Sequence, residues 1–512
     1  MRIKKIILAA ALGLFAIAHA PAQNKTNEVR SLTLEEAIRL ALEHNLDVQI
    51  ERFNPQIAQF DLSGAYGAYD PVFGVRVLKR YYSSTGGYNQ TAQISVPGNE
   101  SEFVSIEPEL SGSLPTGLRY NISGDLEGRS AVTRFNVVTN LVGTNIVQRR
   151  EIEYSPSVGI DLAQPLLKNF WIDSARQAIW VNRKTLKISE LAVQGRIMDV
   201  VNRVEQAYYD LIFAIENVRV QEKGLELAER LLSENKRRVE VGALAPLDEK
   251  QAEAQAAGSR AELLSARRTL QAQKNLLKNL ITSSYRDWYG VDILPVEKLL
   301  AVPERFNLID SWQKGMEQRP DLLQSRIDLE RRDIILKYER NQLFPQLDLI
   351  GSYGRNGLDR HWGTALENIR DETNPNYSYG VLFSIPLSNR SQRNRYSAIK
   401  AEKEQSLLVL KQLEQNIMVE IEDAVGLAQT NFERVDATKQ ARLYAEAALE
   451  AEQKKLENGK STSFIVLQLQ RDLTTARSEE IRALADYNKA LAQLAFSEGT
   501  VFERNNLVVN IK

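Results

Sequence analysis

Tyr69-Asp70-Pro71-Val72-Phe73-Gly74-Val75-Arg76-Val77 and Leu343-Phe344-Pro345-Gln346-Leu347-Asp348-Leu349-Ile350 are two versions of one junction. In each, a helical stretch runs into Pro and an alternating apolar run opens directly after it. Pro stops a helix because it lacks an amide proton and clashes with the preceding turn, and period-two alternation signals a strand. Asn45-Leu46-Asp47 precedes the first helical stretch and Arg319-Pro320-Asp321 the second. Asp47 to Asp321 and Pro71 to Pro345 are both 274 positions apart. Further on, Asp161-Leu162-Ala163-Gln164-Pro165-Leu166 corresponds to Leu382-Phe383-Ser384-Ile385-Pro386-Leu387 at a separation of 221, and Val241-Gly242 to Asn458-Gly459 at 217. Four landmarks in one order describe an internal duplication. The separation shrinks by 53 between the Pro junctions and the later strand because the first half carries the longer β region.

This predicts an α+β chain. A leader over 1–22 precedes a first repeat over 23–283, with a β segment at about 72–166 and a long helical hairpin at about 173–283. An irregular connector over 284–315 joins it to a second repeat over 316–496, with β at about 346–387 and a hairpin at about 389–496, before a tail over 497–512. The first helix starts with Thr33 and Glu36 in capping-box spacing. From about Ser174 to Val241 no Pro interrupts, and Ile188, Leu191, Met198, Val201, Tyr208, Leu211, Ile215 and Val218 step by threes, fours and sevens. A helix of that length, roughly 100 Å, has to pack sideways on others in coiled-coil fashion. Ala-rich seams at Ala252–Ala257 and Ala445–Ala451 let backbones approach closely.

The β segments alternate at Phe103–Glu107 and Leu118–Ser123, with Leu114-Pro115-Thr116-Gly117 as a tight turn between them. Six strands are expected in all, with about 129–152 as an external loop and a polar loop containing Asn356, Asp359, Arg360 and His361 between the last two strands. Such alternation suits a soluble sandwich as well as a barrel with lipid outside and water inside. Three further features favour the barrel: export, the absence of Cys and the very long helices. Six strands cannot close a roomy barrel, so several copies have to contribute.

Export is read from the leader. Arg2, Lys4 and Lys5 precede an apolar run from Ile6 to Ala18 and the small triplet Ala20-Pro21-Ala22, the pattern of a secretory signal cleaved after Ala22. An apolar run of about 13 residues is too short to span a bilayer. Zero Cys excludes disulfides, thiolate sites, a Cys nucleophile and a Cys-linked lipid, and three His leave little for metal chemistry. With 65 Lys and Arg against 66 Asp and Glu, no basic surface is set out for nucleic acid. No nucleophile elbow, His-Glu-x-x-His or phosphate-cradling loop is present, so no catalytic, cofactor or metal residue is assigned.

Leu32-Thr33-Leu34-Glu35-Glu36-Ala37-Ile38-Arg39-Leu40-Ala41-Leu42-Glu43-His44-Asn45, Arg319-Pro320-Asp321-Leu322 and the Gly turns between long helices resemble the TolC-type outer-membrane efflux protein family, over almost the whole mature chain. The resemblance implies a homotrimer, in which an outer-membrane β-barrel continues into a long periplasmic α-helical coiled-coil barrel. It implies a passive exit duct for efflux or type I secretion. The partners would be a periplasmic adaptor (membrane fusion protein), an inner-membrane transporter of the RND, ABC or MFS class, and outer-membrane lipid. The connector and the tail, including Leu507 to Ile511, would form an equatorial region.

In that family the turns between paired helices form the periplasmic tip. The matching residues are Val241, Gly242, Ala243 and Leu244, and Asn458, Gly459, Lys460 and Ser461. Both Gly residues could equally do no more than cap helices. Family members often carry acids six and nine residues after the second Gly. Here those positions are Ile465 and Gln468, and the acids follow the first turn instead, at Asp248 and Glu249. These are the candidate entrance gate, and a solvated acid at a helix N-terminus is the alternative reading. Arg149, Arg150, Arg390, Arg393 and Arg395, near the strands, suit either selectivity or headgroup anchoring. The rival to a duct is a cell-surface structural or adhesive coiled-coil protein. That rival does not account for strand groups placed alike in both halves.

Overall fold

A computed structural model describes residues 28–91, 94–96, 98–138, 144–371 and 374–507. The leader over 1–22 and the end of the tail beyond Leu507 lie outside the described residues. The element order is β1 (Glu28–Leu32), α1 (Leu34–His44), α2 (Leu46–Glu51), α3 (Phe53–Tyr66), β2 (Val72–Ser84), β3 (Gly87–Asn89), β4 (Ile94–Val96), β5 (Asn99–Ser113), β6 (Arg119–Val138) and β7 (Thr144–Pro165). After these come α4 (Ser174–Glu240), α5 (Pro246–Ile281), β8 (Val291–Pro295), α6 (Leu308–Gln318), α7 (Pro320–Asn341), β9 (Gln346–Asn356), α8 (Trp362–Arg370), β10 (Pro375–Ser384), α9 (Arg390–Glu457), α10 (Ser463–Glu498) and α11 (Val501–Arg504).

The duplication is written in the helices. α4 and α9 have 67 and 68 residues, and α5 and α10 have 36 each. Ahead of α4 and α9 the chain turns through Asn169 and Asn389, both at positive φ, 65° and 42°. Asn tolerates that region because its short amide bonds locally.

Residues 28–46, 203–302 and 431–489 form one compact unit. β1 and β8 pair in parallel, and Tyr208, fully buried, donates from its hydroxyl to the Leu32 carbonyl at 2.9 Å. Thr33 Oγ1 accepts from the Glu36 amide at 3.1 Å, capping α1 over the buried Ala37, Ile38 and Ala41. Leu231, Ala252, Leu449, Val466, Leu467 and Leu473 make a core from α4, α5, α9 and α10 together. The small Ala252 at its centre brings the helix backbones close.

The second unit holds the sheet. Six antiparallel strands run in the order β10-β9-β7-β6-β5-β2. Its register sorts the side chains by face. Phe73, Val75 and Val77 on β2 align with Leu110, Pro108 and Ile106 on β5, and Leu110 and Ile106 with Ile122 and Leu126 on β6. The same face continues through Pro156, Ile160 and Leu162 to Leu349 and Tyr353, then to Tyr377, Val381 and Phe383. The opposite face carries Arg76, Arg80, Glu107, Glu109, Asn121, Asp125, Glu127, Arg129, Glu153 and Asp161. Apolar side chains predominate on one side of the sheet, which also carries the Lys79–Glu102 ion pair, and charged ones on the other.

Four sequence expectations are corrected. Residues 129–138 and 144–152 are not an external loop: β6 and β7 pair through them, from Arg129↔Glu153 to Val138↔Thr144. The polar loop after β9 contains α8. The helical stretch that starts after Asn45 and runs to Pro71 is divided at Arg52 into α2 and α3, while Asn45 itself, extended at φ −65°, ψ 126°, ends α1. The connector is not irregular throughout: β8 pairs β1, and α6 begins inside it at Leu308, capped by the Asn307 side chain.

Candidate functional site: the hairpin turns

The predicted tip residues lie at two turns with one backbone. In the first, the Ala243 amide donates to the Arg238 carbonyl at 2.7 Å and the Gly242 amide to Val239 at 2.9 Å. In the second, Lys460 donates to Lys455 at 2.8 Å and Gly459 to Leu456 at 3.1 Å. These crossed bonds are Schellman closures, which satisfy the last helical carbonyls and need a left-handed residue after the cap. Gly242 at φ 76° and Gly459 at φ 69° supply it. Each turn then enters a 36-residue helix, α5 with Pro246 in its first turn and α10 from Ser463.

The side chains differ. Around the first turn Val241 is 78% and Leu247 65% exposed, with Leu244 half-buried. Asp248 and Glu249, both half-buried, occupy the first turn of α5, where the helix dipole favours negative charge. The second turn is a polar clasp: the Ser461 hydroxyl donates to Glu452, Lys455 Nζ lies 2.8 Å from the same carboxylate, and Asn458 Nδ2 donates to the Lys454 carbonyl at 2.7 Å. The Lys455 ammonium and then the Ser461 hydroxyl hold the Glu452 carboxyl below the usual carboxylate range. Phe464 and Ile465 follow, exposed. Ile465 and Gln468 provide no acid there.

One link joins the two hairpins behind their turns. Asn235 on α4, 2% exposed, donates from Nδ2 to Ser463 Oγ on α10 at 2.6 Å, and at 3.4 Å to the carbonyl of Asp248 on α5. Ser463 is 1% exposed. The sequence signal for this was a polar residue four positions after Leu231, on the seam where the pattern calls for an apolar one. Of the arginines noted near the strands, Arg395 pairs with the buried Glu339 at 2.7 Å and Arg149 with Glu151 at 3.0 Å. Among the described residues no group of three or more His, Cys, Asp or Glu is placed to hold a metal ion, and no helix is long and apolar enough to cross a membrane.

Comparison with known proteins agrees with this architecture. The model of the family described as outer membrane efflux protein matches residues 144–283 and 312–500, more than half of the chain. The cobalt-zinc-cadmium resistance protein CzcC of Cupriavidus metallidurans is 28% identical over 317 residues, 60% of this chain and 69% of that one. The outer membrane protein TolC of Vibrio cholerae is 24% identical over 365 residues, 69% of this chain and 79% of its own. Among solved structures, the CmeC outer membrane channel of Campylobacter jejuni superposes with a TM-score of 0.64 at 15% identity, covering 91% of this chain and 85% of its own. A membrane protein from Pseudomonas aeruginosa gives 0.65 at 18% identity, covering 91% and 90%. With parts of both repeats inside the match, the chain belongs to the outer membrane efflux protein family, a family of channels rather than enzymes seated in the outer membrane.

Proposed function

We propose that three copies of the chain form the exit duct of a tripartite export assembly, passive in itself and opened when a periplasmic adaptor engages the hairpin turns. The observation that carries this reading is the two-faced sheet. The apolar face, from Phe73, Val75 and Val77 on β2 to Tyr377, Val381 and Phe383 on β10, suits lipid. The charged face suits water. The edge strands β2 and β10 run in opposite directions, since the six strands alternate, so β2 of one copy can pair antiparallel with β10 of the next. Three copies then give eighteen strands, a number that leaves an aqueous lumen.

In this reading the turns face the periplasm, and the exposed Val241, Leu247, Phe464 and Ile465 are the surface the adaptor covers. Cargo is chosen by the inner-membrane transporter. Three copies of Asp248 line the entrance, where their charges attract cations and repel one another. The test is single-channel recording in planar bilayers, with the mass in detergent measured alongside. A trimer with discrete conductance steps is expected, and a channel-silent monomer would sink the proposal. For the gate, Asp248→Asn should lower cation selectivity, and unchanged selectivity removes Asp248 from the entrance.

A further inference from the structure

The duplication carries a join in the middle of the sheet. β7 ends the strands of the first repeat and β9 opens those of the second, and the two pair, Asp161 with Ser352, Ala163 with Ile350 and Pro165 with Asp348. Their ladder runs one residue further, where the Leu166 amide donates to the Leu347 carbonyl at 2.7 Å. The matching strands lie at the outer edges: β10 ends the second repeat and β2 opens the first. Pro386-Leu387 follows β10 as Pro165-Leu166 closes β7, 221 positions earlier, and β2 begins at Val72 as β9 begins at Gln346, 274 positions later. Yet β10 is paired only as far as Ser384, because β9 begins opposite it at Gln346. Leu387 is left 97% exposed, and Ile385, Phe73, Val75 and Val77 are exposed with it.

We infer that β10 of one copy and β2 of the next repeat the β7–β9 join residue for residue. This rests on the reading of three copies as one barrel, and fixes the register at which that barrel closes. Carried across by the two separations, the join sets Leu382 opposite Leu78, Ser384 opposite Arg76 and Pro386 opposite Gly74 of the next copy. The Leu166 bond becomes one from the Leu387 amide to the Phe73 carbonyl, so β10 extends through Leu387. The side chains support this register independently of the repeat. On the charged face of the sheet β10 places one large apolar residue, Leu382, among Asn376, Ser378, Gly380 and Ser384. β2 places Leu78 on the same face, between Arg76 and Arg80. Paired across the seam, each leucine shields the other from water. A slip of two residues, the smallest that keeps the faces matched, would set Leu78 against Gly380 or Ser384 and Leu382 against Arg76 or Arg80. On the other face the register brings Phe73 to Leu387, Val75 to Ile385 and Val77 to Phe383, continuing the apolar side chains from copy to copy.

The chain has no Cys, so disulfides between introduced pairs read the register directly. Leu166–Leu347 is a hydrogen-bonded pair, and alternation makes Asp161–Ser352 a non-hydrogen-bonded one, with side chains closer together. Leu382 and Leu78 inherit that geometry, which suits a disulfide. Leu78→Cys with Leu382→Cys, oxidised as the purified oligomer, should run on denaturing gels as covalent dimers and trimers that reductant returns to single chains. Within one copy the two positions lie on opposite edges of the sheet, so a link joins copies. Leu78→Cys with Gly380→Cys, and Leu78→Cys with Ser384→Cys, report a slip in either direction and should link about tenfold more slowly, since their Cβ atoms lie a diagonal step apart. Arg76→Cys with Ser384→Cys, the neighbouring non-hydrogen-bonded pair, serves if loss of the leucines prevents assembly. Faster linking of a slipped pair, or no linking of either in-register pair within an oligomer of trimeric mass, overturns the register and leaves the trimer standing. A wild type that is monomeric in detergent overturns the barrel of three copies and the register with it.

Discussion

The two halves of the duplication agree in their helices and disagree in their strands. The first contributes β2, β5, β6 and β7 to the sheet and the second only β9 and β10, yet the long helices match to within one residue. Helices that share a core, as α4, α5, α9 and α10 do around Leu231, Ala252, Leu449 and Leu467, have to keep equal length and phase, because an unmatched turn would leave apolar side chains without partners. A sheet that closes edge to edge asks only for an even number of strands per copy. The hairpin β5–β6 adds two and leaves the edge directions unchanged. Insertion is therefore tolerated in one layer and not in the other.

The largest effect expected from this contrast comes from removing the added pair. With residues 99–138 deleted, β2 can meet β7 antiparallel, since the two run in opposite directions in the sheet. The shortened chain should still trimerise, and the polymer-exclusion cutoff measured from the barrel side should fall by about a third, following strand number. Deleting β5 alone should abolish assembly. Equal behaviour of the two deletions would break the parity argument.

The helical layer should respond in kcal/mol. Asn235→Ala strands Ser463 Oγ in a buried site and should cost about 2 kcal/mol by denaturant titration. A variant that also carries Ser463→Ala should recover part of that loss, because both polar groups are then gone. Smaller again, Gly242→Val and Gly459→Val each place a β-branched residue in the left-handed region, at about 1–2 kcal/mol. Equal losses at the two turns would show that the backbone closure alone sets the cost, whatever the side chains around it.

The sequence showed the parts whose physics is local. Gly242, Gly459, Pro71 and Pro345 mark the turns and junctions because φ or a missing amide proton decides them residue by residue. The six strands were visible where one face is apolar. They were not visible from Arg129 onward: Arg129, Arg149, Arg150, Glu151 and Glu153 lie in strand segments where alternation gives way to charge on both faces, so the pairing of β6 with β7 leaves no two-residue signature there. α8 was missed because nine residues show too little of a helical period to register. The Asn235–Ser463 bond joins residues 228 positions apart, and only the packing of α4 on α10 brings them together.

The two turns share a backbone and differ in chemistry, so pH should separate them. Glu452 is held below the usual carboxylate range by Lys455 and Ser461, and a depressed carboxyl stabilises the fold above its ordinary value near 4.5. That contribution is lost as pH falls through the lowered value. The second turn should therefore loosen on acidification below the ordinary carboxylate range, while the first, closed by backbone bonds and stiffened by Pro246, should not respond through this group. Amide exchange at Lys460 and Ala243, corrected for the intrinsic rate and compared between neutral pH and about pH 3.5, measures the difference. Because Glu452 is a single carboxylate near the end of α9, held only by its neighbours at the turn, the effect is the smallest expected, a change in local opening rather than in global stability. Glu452→Gln should remove it, leaving Lys460 no more sensitive to acid than Ala243. If the two amides already respond alike in the wild type, the clasp is decoration on a turn that Gly459 alone maintains.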